Sequence, residues 1–439
     1  MDTRKPGGLT RGVAISAVGN LFPPVAGLVS VPLLANGLGV FGRGEVAAAT
    51  APLILAASGL TLGIPEAMTY AISRRRSDLR YYLVRGLVVL LLVGAAGTGA
   101  IATLAPRLSD GNADLERLIV LSALCLVPAL LGIGVRGAAL ALNQWHMVSA
   151  DRIVTSVLRL LALGFLYSTG SLTVQSAVAV IAGATFVGAL VYVPLFWHRP
   201  SYADVSGRIP SLIGYGLAFW VGSVAGTLLA RLDQVIMVPL AGEAELGIYA
   251  VAVSLAELVF VFNNAVRDVM LAVEASSPSD ARVAAASRIS TAFTIVIAVL
   301  IAIAAWIALP WIFGDEFSGV LPAALILLLG AVLGNPGSAV SAAASARGHP
   351  LLRSGAIATG LAVNVAAMVM LVPPHGALGA SIATALGSVV AGFTSLVLMK
   401  RLTGMPLRSF LGVRRSDLTY LRTTIGERLT RRSIRAQRN

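Results

Sequence analysis

The sequence predicts an all-α integral membrane protein with about twelve transmembrane helices, forming two six-helix pseudo-symmetric lobes around a central cleft. Composition, the length of the apolar runs and an internal repeat lead to this prediction. Hydrophobic residues make up 57% of the chain and charged residues only 12%, about half the charged share of a soluble domain. The apolar runs are long enough to cross a bilayer core as helices, which takes about 20 residues each.

Apolar runs between charged or turn-forming stretches define the predicted spans. They are 12–36, 45–72, 82–105, 118–141, 150–168, 174–197, 212–240, 246–274, 288–313, 319–346, 351–373 and 377–399. The first run is longer than the apolar region of a secretory signal and contains Pro23 and Pro24, so we interpret it as a retained helix.

Basic residues predict the orientation. With a cytoplasmic N-terminus, the inner segments hold most of the 33 lysines and arginines, whereas the outer loops hold Arg43, Arg107 and Arg117. We therefore expect a multi-pass protein with both termini in the cytoplasm. Lysine is scarce while arginine and alanine abound, which indicates a bacterial source and hence the bacterial cytoplasmic (inner) membrane. Arginine-rich loops explain the net charge of +13 without a nucleic-acid partner.

The internal repeat links Val31 to Val238. Each begins a Val-Pro-Leu sequence that ends a helix, and the next helix is entered through Gly42 or Gly247, which differ by 205 positions. This is about six spans, so the halves are parallel and a substrate path is expected between them near the midplane. Chance similarity between apolar segments is the alternative. The predicted domains are an N-terminal lobe at 1–200, a C-terminal lobe at 201–400 and a basic amphipathic cytoplasmic tail at 401–439.

Three ionisable residues are predicted near the midplane of the second lobe. Arg231 and Glu257 lie at similar depth, about 15 Å from the outer surface, on adjacent antiparallel helices. Asp233 cannot simply pair with Arg231, because residues two apart project about 200° apart on a helix. Charges at this depth cost about 2.5–3.5 kcal/mol and usually face a bundle interior or an aqueous pathway. An Arg231–Glu257 pair that only holds two helices together is the alternative.

Further candidates complete the predicted site. Arg159 is expected to face Arg231 across the cleft, with snorkelling to the inner interface as the alternative. Asn20, Asn335 and Asn364 are expected to line the cavity, with hydrogen bonds between helices as the alternative. The candidate inner-gate or interface residues are Glu66, Arg136, Arg267 and Asp268.

Several familiar motifs are missing or out of place. The sequence GLGVFG at 37–42 matches a dinucleotide-binding pattern but lies in a predicted outer loop between membrane helices, where no βαβ unit can form. One cysteine and four scattered histidines have no metal-ligand spacing. We therefore expect no cofactor, no metal site and no enzyme activity.

Four stretches carry a family resemblance. They are GLTLGIPEAMTYAISRRR (59–76), LNQWHMVSADRIVTSVLRLL (142–161), RLDQVIMVPLAGEAELGIYAVAVSLAEL (231–258) and LVPPHGALGASIATALGSVVAGF (371–393). Together they resemble bacterial polysaccharide exporters of the Wzx flippase type, within the multidrug/oligosaccharidyl-lipid/polysaccharide superfamily. The resemblance implies a twelve-helix, two-lobed transporter that moves lipid-linked sugars outward by alternating access. It also implies a cationic cavity for the lipid pyrophosphate, with Arg159 and Arg231 as the candidate cations.

A transporter of this kind needs an energy source and partners. Asp233 and Glu257 are candidates for binding a coupling proton or sodium ion, because midplane carboxylates titrate as access changes. The expected partners are the membrane and a lipid-linked sugar substrate, together with a polysaccharide polymerase and glycosyltransferases.

Three other functions remain as alternatives. A drug or cation antiporter of the multidrug and toxin extrusion type commonly uses deep carboxylates in the first lobe, and the first six predicted helices have none near the midplane. A membrane-embedded enzyme is disfavoured by the short outer loops. The third alternative is a component of a polysaccharide-assembly complex that does not transport.

Overall fold

The protein is built from long helices. The computed structural model describes residues 7–74, 79–197, 212–276, 279–412 and 414, with only the backbone path at some helix ends. The helices are α1 Gly7–Gly59, α2 Ile64–Arg74, α3 Leu79–Leu108, α4 Ala113–Ala123, α5 Leu126–Ala141, α6 Trp145–Ser168, α7 Val174–Ala189, α8 Leu212–Ser276, α9 Asp280–Phe313, α10 Val320–Ala346 and α11 Pro350–Thr403. Short 3-10 turns occupy Leu190–Trp197, Asp315–Phe317 and Leu407–Ser409. These residues contain no β-strand, so the predicted all-α class is confirmed.

The described helices make twelve passes. Eight helical stretches in this part of the chain are long and apolar enough to cross a membrane. Three of them contain a glycine with positive φ that divides the stretch into two helices, namely Gly39 (+68°), Gly242 (+83°) and Gly376 (+53°). Helix α6 is the remaining pass, with 24 residues that are less apolar because charged side chains interrupt them.

The chain reverses direction at these glycines. Around Gly242, the Tyr249 hydroxyl donates a hydrogen bond to Asp233. Around Gly376, Asn364 Nδ2 donates to Thr384 Oγ1 at 3.3 Å. The sequence predicts short loops over 36–45, 240–246 and 373–377, and the structure corrects this, because one glycine with positive φ is enough to turn the chain.

Several helices begin earlier than the apolar pattern predicts. The spans predicted from 118, 150 and 288 begin as helices at Ala113, Trp145 and Asp280. Polar side chains stabilise these added turns: Asn112 Oδ1 accepts from the N–H of Leu115 at 3.2 Å and so caps α4. The added turns were missed because they are not apolar.

Six turns gather at one end of the bundle, which we call the Gly39 end. They are Gly39, 109–112, 169–173, Gly242, 314–319 and Gly376. Contacts between them fix this arrangement: Asn112 Nδ2 donates to Glu243 Oε1 at 3.1 Å, and the N–H of Ala377 donates to Glu245 Oε2 at 2.7 Å. The predicted orientation places this end outside the cell.

The two lobes are in backbone contact near the Gly39 end. A Cβ atom at Gly44 would lie 1.8 Å from the carbonyl oxygen of Glu243, and one at Gly247 would lie 2.1 Å from that of Val40. Only glycine allows so close an approach at either position. The two contacts are equivalent: Gly44 and Gly247 are 203 residues apart, and so are Val40 and Glu243. Each lobe therefore presents the same two positions to the other, which is the pattern of an interface around a two-fold axis.

This contact also corrects the register of the internal repeat. The chain-reversing glycines, Gly39 and Gly242, are likewise separated by 203 residues and have similar backbone angles. The structural counterpart of Gly247 is therefore Gly44, whereas the sequence comparison had matched Gly247 to Gly42. The Val-Pro-Leu sequences had suggested a different spacing because a helix end does not define a residue-level register.

Small residues bring α10 and the second half of α11 together. A Cβ atom at Gly334 would lie 2.7 Å from the carbonyl oxygen of Ser388, and one at Gly337 would lie 2.2 Å from that of Gly392. Small residues at helix interfaces are typical of membrane proteins, where close van der Waals contact replaces the hydrophobic effect.

An ionic cluster joins three helices at the end opposite the Gly39 end. Glu274 of α8 is fully buried and pairs with Arg347 at 2.7 Å, while Asp280 of α9 pairs with the same guanidinium at 2.5 Å. Burial alone would lower the pKa of Arg347, but hydrogen bonds to Asp280 and Glu274 and their charges raise it above its usual value. Arg347 therefore stays charged and holds α8, α9 and the end of α10 together.

The chain beyond α11 packs against the same end of the second lobe. Phe410 is fully buried among side chains of α9, α10 and α11. Arg288 Nη1 donates to the carbonyl oxygen of Ser409 at 2.5 Å, which fixes the segment in place. The predicted tail at 401–439 lies, after residue 412 and apart from residue 414, outside the described residues.

We predict that Gly44→Ala lowers the thermal stability of the purified protein, because the added methyl group forces the lobes apart. Overpacking of this kind typically costs about 1–3 kcal/mol. Gly164→Ala is the matched control, since a Cβ atom there meets nothing within 4 Å. Equal melting temperatures for the Gly44→Ala and Gly164→Ala variants would contradict the backbone contact.

Candidate substrate cavity

A cavity of about 500 Å³ reaches into the second lobe. Its walls come from α8, α10 and α11, and Pro24 of α1 lines it from the first lobe. Its volume falls within the range of roughly 300–1,000 Å³ that is usual for small-molecule sites. Glycine, alanine and serine supply much of the wall, so polar groups of the helices are accessible from the cavity.

Arg231 and Glu257 form an ion pair in the cavity wall. Arg231 Nη2 and Glu257 Oε1 are 2.7 Å apart, across the hairpin that turns at Gly242. The two side chains keep 32% and 39% of their surface exposed, so the pair is open to the cavity. A pair that only held two helices together would be sealed between them. The geometry therefore leaves both groups accessible to a ligand in the cavity.

Asp233 lines the cavity but its carboxylate is almost completely enclosed. Its oxygens accept hydrogen bonds from the Tyr249 hydroxyl, from the Gln234 N–H at 2.8 Å and from the Thr384 hydroxyl at 3.3 Å. The side chain does not contact Arg231 as an ion pair, as the helical geometry predicts. Three donors around one carboxylate can stabilise its charge far from water.

Two asparagines of the second lobe are predicted to line the cavity, and the structure places one of them in the cavity wall and the other behind it. Asn335 lines the cavity, and its Nδ2 donates to Ser290 Oγ at 3.0 Å and to Thr291 Oγ1 at 3.2 Å. Asn364 is 1% exposed and does not line the cavity, which corrects its predicted place. It supports Thr384, a hydrogen-bond donor to Asp233. A buried amide forms hydrogen bonds with whichever helix packs against it, and the spacing of residues in the sequence does not identify that helix.

Two arginines of the first lobe face this region without a partner. The Nε atoms of Arg43 and Arg159 are buried and lack a hydrogen-bond acceptor. Both guanidinium groups lie within electrostatic range of Glu257. Arg159 is fourteen residues after the start of α6 and nine before its end, about 21 Å and 14 Å along the helix, so it lies well inside the helix.

Arg43 is the main residue that the sequence interpretation misplaced. It was assigned to an outer loop, but the one-residue turn at Gly39 puts it in the first turn of the returning helix. A side chain there extends into the protein instead of into solvent. Its only sequence signal is that it is one of three arginines on the outer side of the predicted topology.

Two of the four predicted inner-gate residues, Arg136 and Glu66, have described side chains, and they lie on α5 and α2 where these helices meet at Gly137 and Pro65. Arg136 pairs with Asp151 at 2.7 Å, and Asp151 also accepts from the Tyr192 hydroxyl at 2.9 Å. Asp151 is 3% exposed and was not anticipated, although it begins a predicted span. Glu66 is exposed in the first turn of α2. The side chains of three further candidates lie outside the described part of the structure: Asn20, Arg267 and Asp268.

The described residues contain no group of three or more histidine, cysteine, aspartate or glutamate side chains that could hold a metal ion.

Solved structures with the same fold are membrane transporters. An inward-facing multidrug resistance MATE family transporter of the MOP superfamily has a TM-score of 0.71 and 15% identity, covering 88% of this chain and 98% of that one. The lipid II flippase MurJ in an inward closed conformation has a TM-score of 0.70 and 11% identity, covering 90% and 89%. A MOP superfamily transporter from Pyrococcus furiosus has a TM-score of 0.56 and 16% identity, covering 92% and 98%. These likenesses define the class: a two-lobed helical membrane protein with the MOP transporter fold.

The family is defined by the sequence. Residues 9–269, more than half of the chain, match the model of a family described as polysaccharide biosynthesis protein. The chain belongs to this family. No curated protein sequence matches it.

A double-mutant cycle on Arg231→Ala and Glu257→Ala separates the two interpretations of the ion pair. We expect a coupling energy of at most about 1 kcal/mol in thermal unfolding, because both side chains are partly solvated. The same cycle on Arg136→Ala and Asp151→Ala is the reference for a structural pair and should give a coupling energy above about 1 kcal/mol, because the Asp151 carboxylate is only 5% exposed. A coupling of similar size for Arg231 and Glu257 would identify a strut.

Proposed function

We propose that this protein moves lipid-linked oligosaccharide or polysaccharide precursors from the inner to the outer leaflet of the bacterial cytoplasmic membrane by alternating access. The observation that carries the proposal is that Arg43 and Arg159 have buried Nε atoms without a hydrogen-bond acceptor and lie within electrostatic range of Glu257, which lines the cavity. Unpaired buried cations are costly, and they persist where an anionic ligand completes the site. The polysaccharide biosynthesis family and the MOP transporter fold support the same function.

The charge of the site matches a lipid diphosphate. Three arginines, Arg43, Arg159 and Arg231, lie within range of Glu257, and with Asp233 in the same cavity wall the net charge is one positive unit, rising to two when a coupling ion neutralises Asp233. A diphosphate diester carries about two negative charges and cannot cross hydrocarbon unaided, because it would lose its hydration. Guanidinium groups bind phosphate oxygens in pairs. In this proposal the substrate competes with Glu257 for Arg231, so the ion pair opens as the substrate binds.

The lobes supply the alternating movement. The contact of Gly44 with Glu243, and its counterpart of Gly247 with Val40, closes the protein at the Gly39 end. Rocking of one lobe against the other opens this contact and closes the opposite end, and the lipid tail stays in the bilayer while the headgroup passes between the lobes. No covalent step is needed, so we propose transport without enzyme activity.

Asp233 is the proposed site of the coupling ion. Its carboxylate lines the cavity and is held by donors from Tyr249 and Thr384, and a proton or a sodium ion that enters from the cavity neutralises its charge. Glu257 is the second candidate from the sequence, but it is already neutralised by Arg231. The proposed partners are the lipid-linked sugar, the membrane and, in the same process, a polysaccharide polymerase and glycosyltransferases.

Drug or cation export is the second candidate function. The similarity to a multidrug resistance MATE transporter favours it. The electrostatics oppose it, because a cation next to Arg43 and Arg159 meets two uncompensated positive charges. A role in polysaccharide assembly without transport is also disfavoured, because it supplies no anionic ligand for Arg43 and Arg159.

We predict that Arg43→Ala, Arg159→Ala and Arg231→Ala each slow the movement of lipid-linked oligosaccharide in proteoliposomes by roughly 10- to 100-fold. Each variant loses a charged hydrogen bond, which is worth about 1.5–3 kcal/mol. Arg107→Ala is the control, since Arg107 is exposed at the Gly39 end. Normal movement by all three variants at normal protein level would remove the arginines from the pathway.

Asp233→Asn should uncouple transport from its driving gradient. The amide cannot gain or lose charge, so uphill accumulation is lost while downhill movement of the lipid continues. The comparison uses proteoliposomes with imposed proton or sodium gradients, and Asp114→Asn is the control because Asp114 is largely exposed. Gradient-driven transport that survives in the Asp233→Asn variant would exclude this coupling site.

A further inference from the structure

Asn335 presents an unused hydrogen-bond acceptor at the cavity. Its Nδ2 is bonded to Ser290 and Thr291, while its Oδ1 is buried and has no partner in the protein. The side chain is 3% exposed and belongs to the cavity wall. A buried acceptor without a donor costs about 1–3 kcal/mol. Such an atom indicates a ligand that brings its own donor.

The hydrogen-bond network fixes the orientation of this amide. The Thr291 hydroxyl donates its proton to the carbonyl oxygen of Ser287 at 2.8 Å. Thr291 Oγ1 therefore offers only lone pairs to Asn335, and the group that faces it must be the donor, Nδ2. Oδ1 then points away from α9.

Two serines add acceptors to the same cavity. The hydroxyls of Ser341 and Ser395 donate to carbonyl oxygens of their own helices, at 3.0 Å to Ser338 and at 2.9 Å to Ala391. Each hydroxyl has one proton, so the lone pairs remain for a ligand. Together with Asn335 Oδ1, these residues favour a ligand with several hydroxyl donors.

The hydrogen-bond acceptors of the cavity that remain available to a ligand carry no charge. Glu257 is paired with Arg231, and Asp233 already accepts three hydrogen bonds. An organic cation finds no free negative charge here, whereas a neutral polyol finds acceptors and small apolar residues for its C–H surfaces. The lining therefore favours sugar hydroxyls over ammonium groups.

The acceptor lies at the level of the proposed diphosphate site. Asn335 is fifteen residues from the start of α10, and Glu257 is fifteen residues from Gly242, so both are about 22 Å from the Gly39 end. A sugar attached to a diphosphate that replaces Glu257 on Arg231 is thus at the right depth for Asn335.

We propose that the second-lobe cavity binds the first sugar of the lipid-linked substrate, with Asn335 Oδ1 accepting a hydrogen bond from a sugar hydroxyl and Ser341 and Ser395 accepting from others. This inference rests on the proposed function. It separates the substrate site into an arginine part that holds the diphosphate and an uncharged part that selects the sugar.

The test measures binding of defined lipids to the full-length protein by native mass spectrometry. The probes are undecaprenyl diphosphate alone and the same lipid carrying one glucose, galactose, rhamnose or N-acetylglucosamine. With at least one sugar, the wild type should bind about fivefold more tightly than it binds the bare lipid, as expected for one net hydrogen bond. Asn335→Leu should abolish this gain and leave the affinity for the bare lipid unchanged.

The Ser341→Ala/Ser395→Ala double variant should also reduce the gain, and it decides the question if Asn335→Leu does not fold. Ser254→Ala is the matched control, because its hydroxyl bonds to Ala250 of its own helix and it does not line the cavity. A gain that persists in the cavity variants overturns the sugar site, as does wild-type binding of the bare lipid with no gain from any sugar. In both cases the proposed function stands.

Failure of the wild type to bind any of these lipids overturns the proposed function and the sugar site together. Tetraphenylphosphonium is a further probe. If it binds the wild type and Asn335→Leu weakens that binding, the cavity accepts organic cations and drug export replaces both proposals.

Discussion

The closed contact between the lobes determines how the rest of the molecule is arranged. Gly44 meets the backbone of Glu243, and Gly247 meets the backbone of Val40. Because the backbones are in direct contact, a lobe that slides along the other loses both contacts, the one at Gly44 and the one at Gly247. The contact holds α1 against α8, and so it sets the distance between the unpartnered arginines of the first lobe and the carboxylate of the second. A larger residue at either glycine changes that distance.

Two kinds of interaction are available at the cavity: electrostatic attraction by arginines and hydrogen bonding by uncharged groups. The arginines have no acceptor of their own, and Glu257 is shared among them. The amide of Asn335 and the serine hydroxyls carry no charge. In the proposed function, the arginines attract the diphosphate by charge and the uncharged groups select the sugar by hydrogen bonds.

The helices and the depth of their charges were predictable because both depend on position along the chain. Apolar runs define the spans, and helical rise places Arg231 and Glu257 at one level. The rotation of a helix and the choice of its neighbour depend on tertiary packing, which one sequence does not reveal. For this reason Asn364 was expected in the cavity but lies behind it. Arg43 was assigned to a loop because a turn of a single glycine leaves almost no sequence signal.

The enclosed carboxylate of Asp151 has a consequence for biogenesis. Helix α6 carries Asp151 and Arg152 in its first two turns and Arg159 near its middle, where a charge costs about 2.5–3.5 kcal/mol. Asp151 accepts a hydrogen bond at 3.4 Å from Thr155 of its own helix, and its partners on other elements are Arg136 of α5 and Tyr192 of the turn after α7. Alone in lipid, α6 is therefore a poor substrate for the insertion machinery. The segment through Tyr192 therefore favours its integration, because the Tyr192 hydroxyl and the Arg136 guanidinium enclose the Asp151 carboxylate.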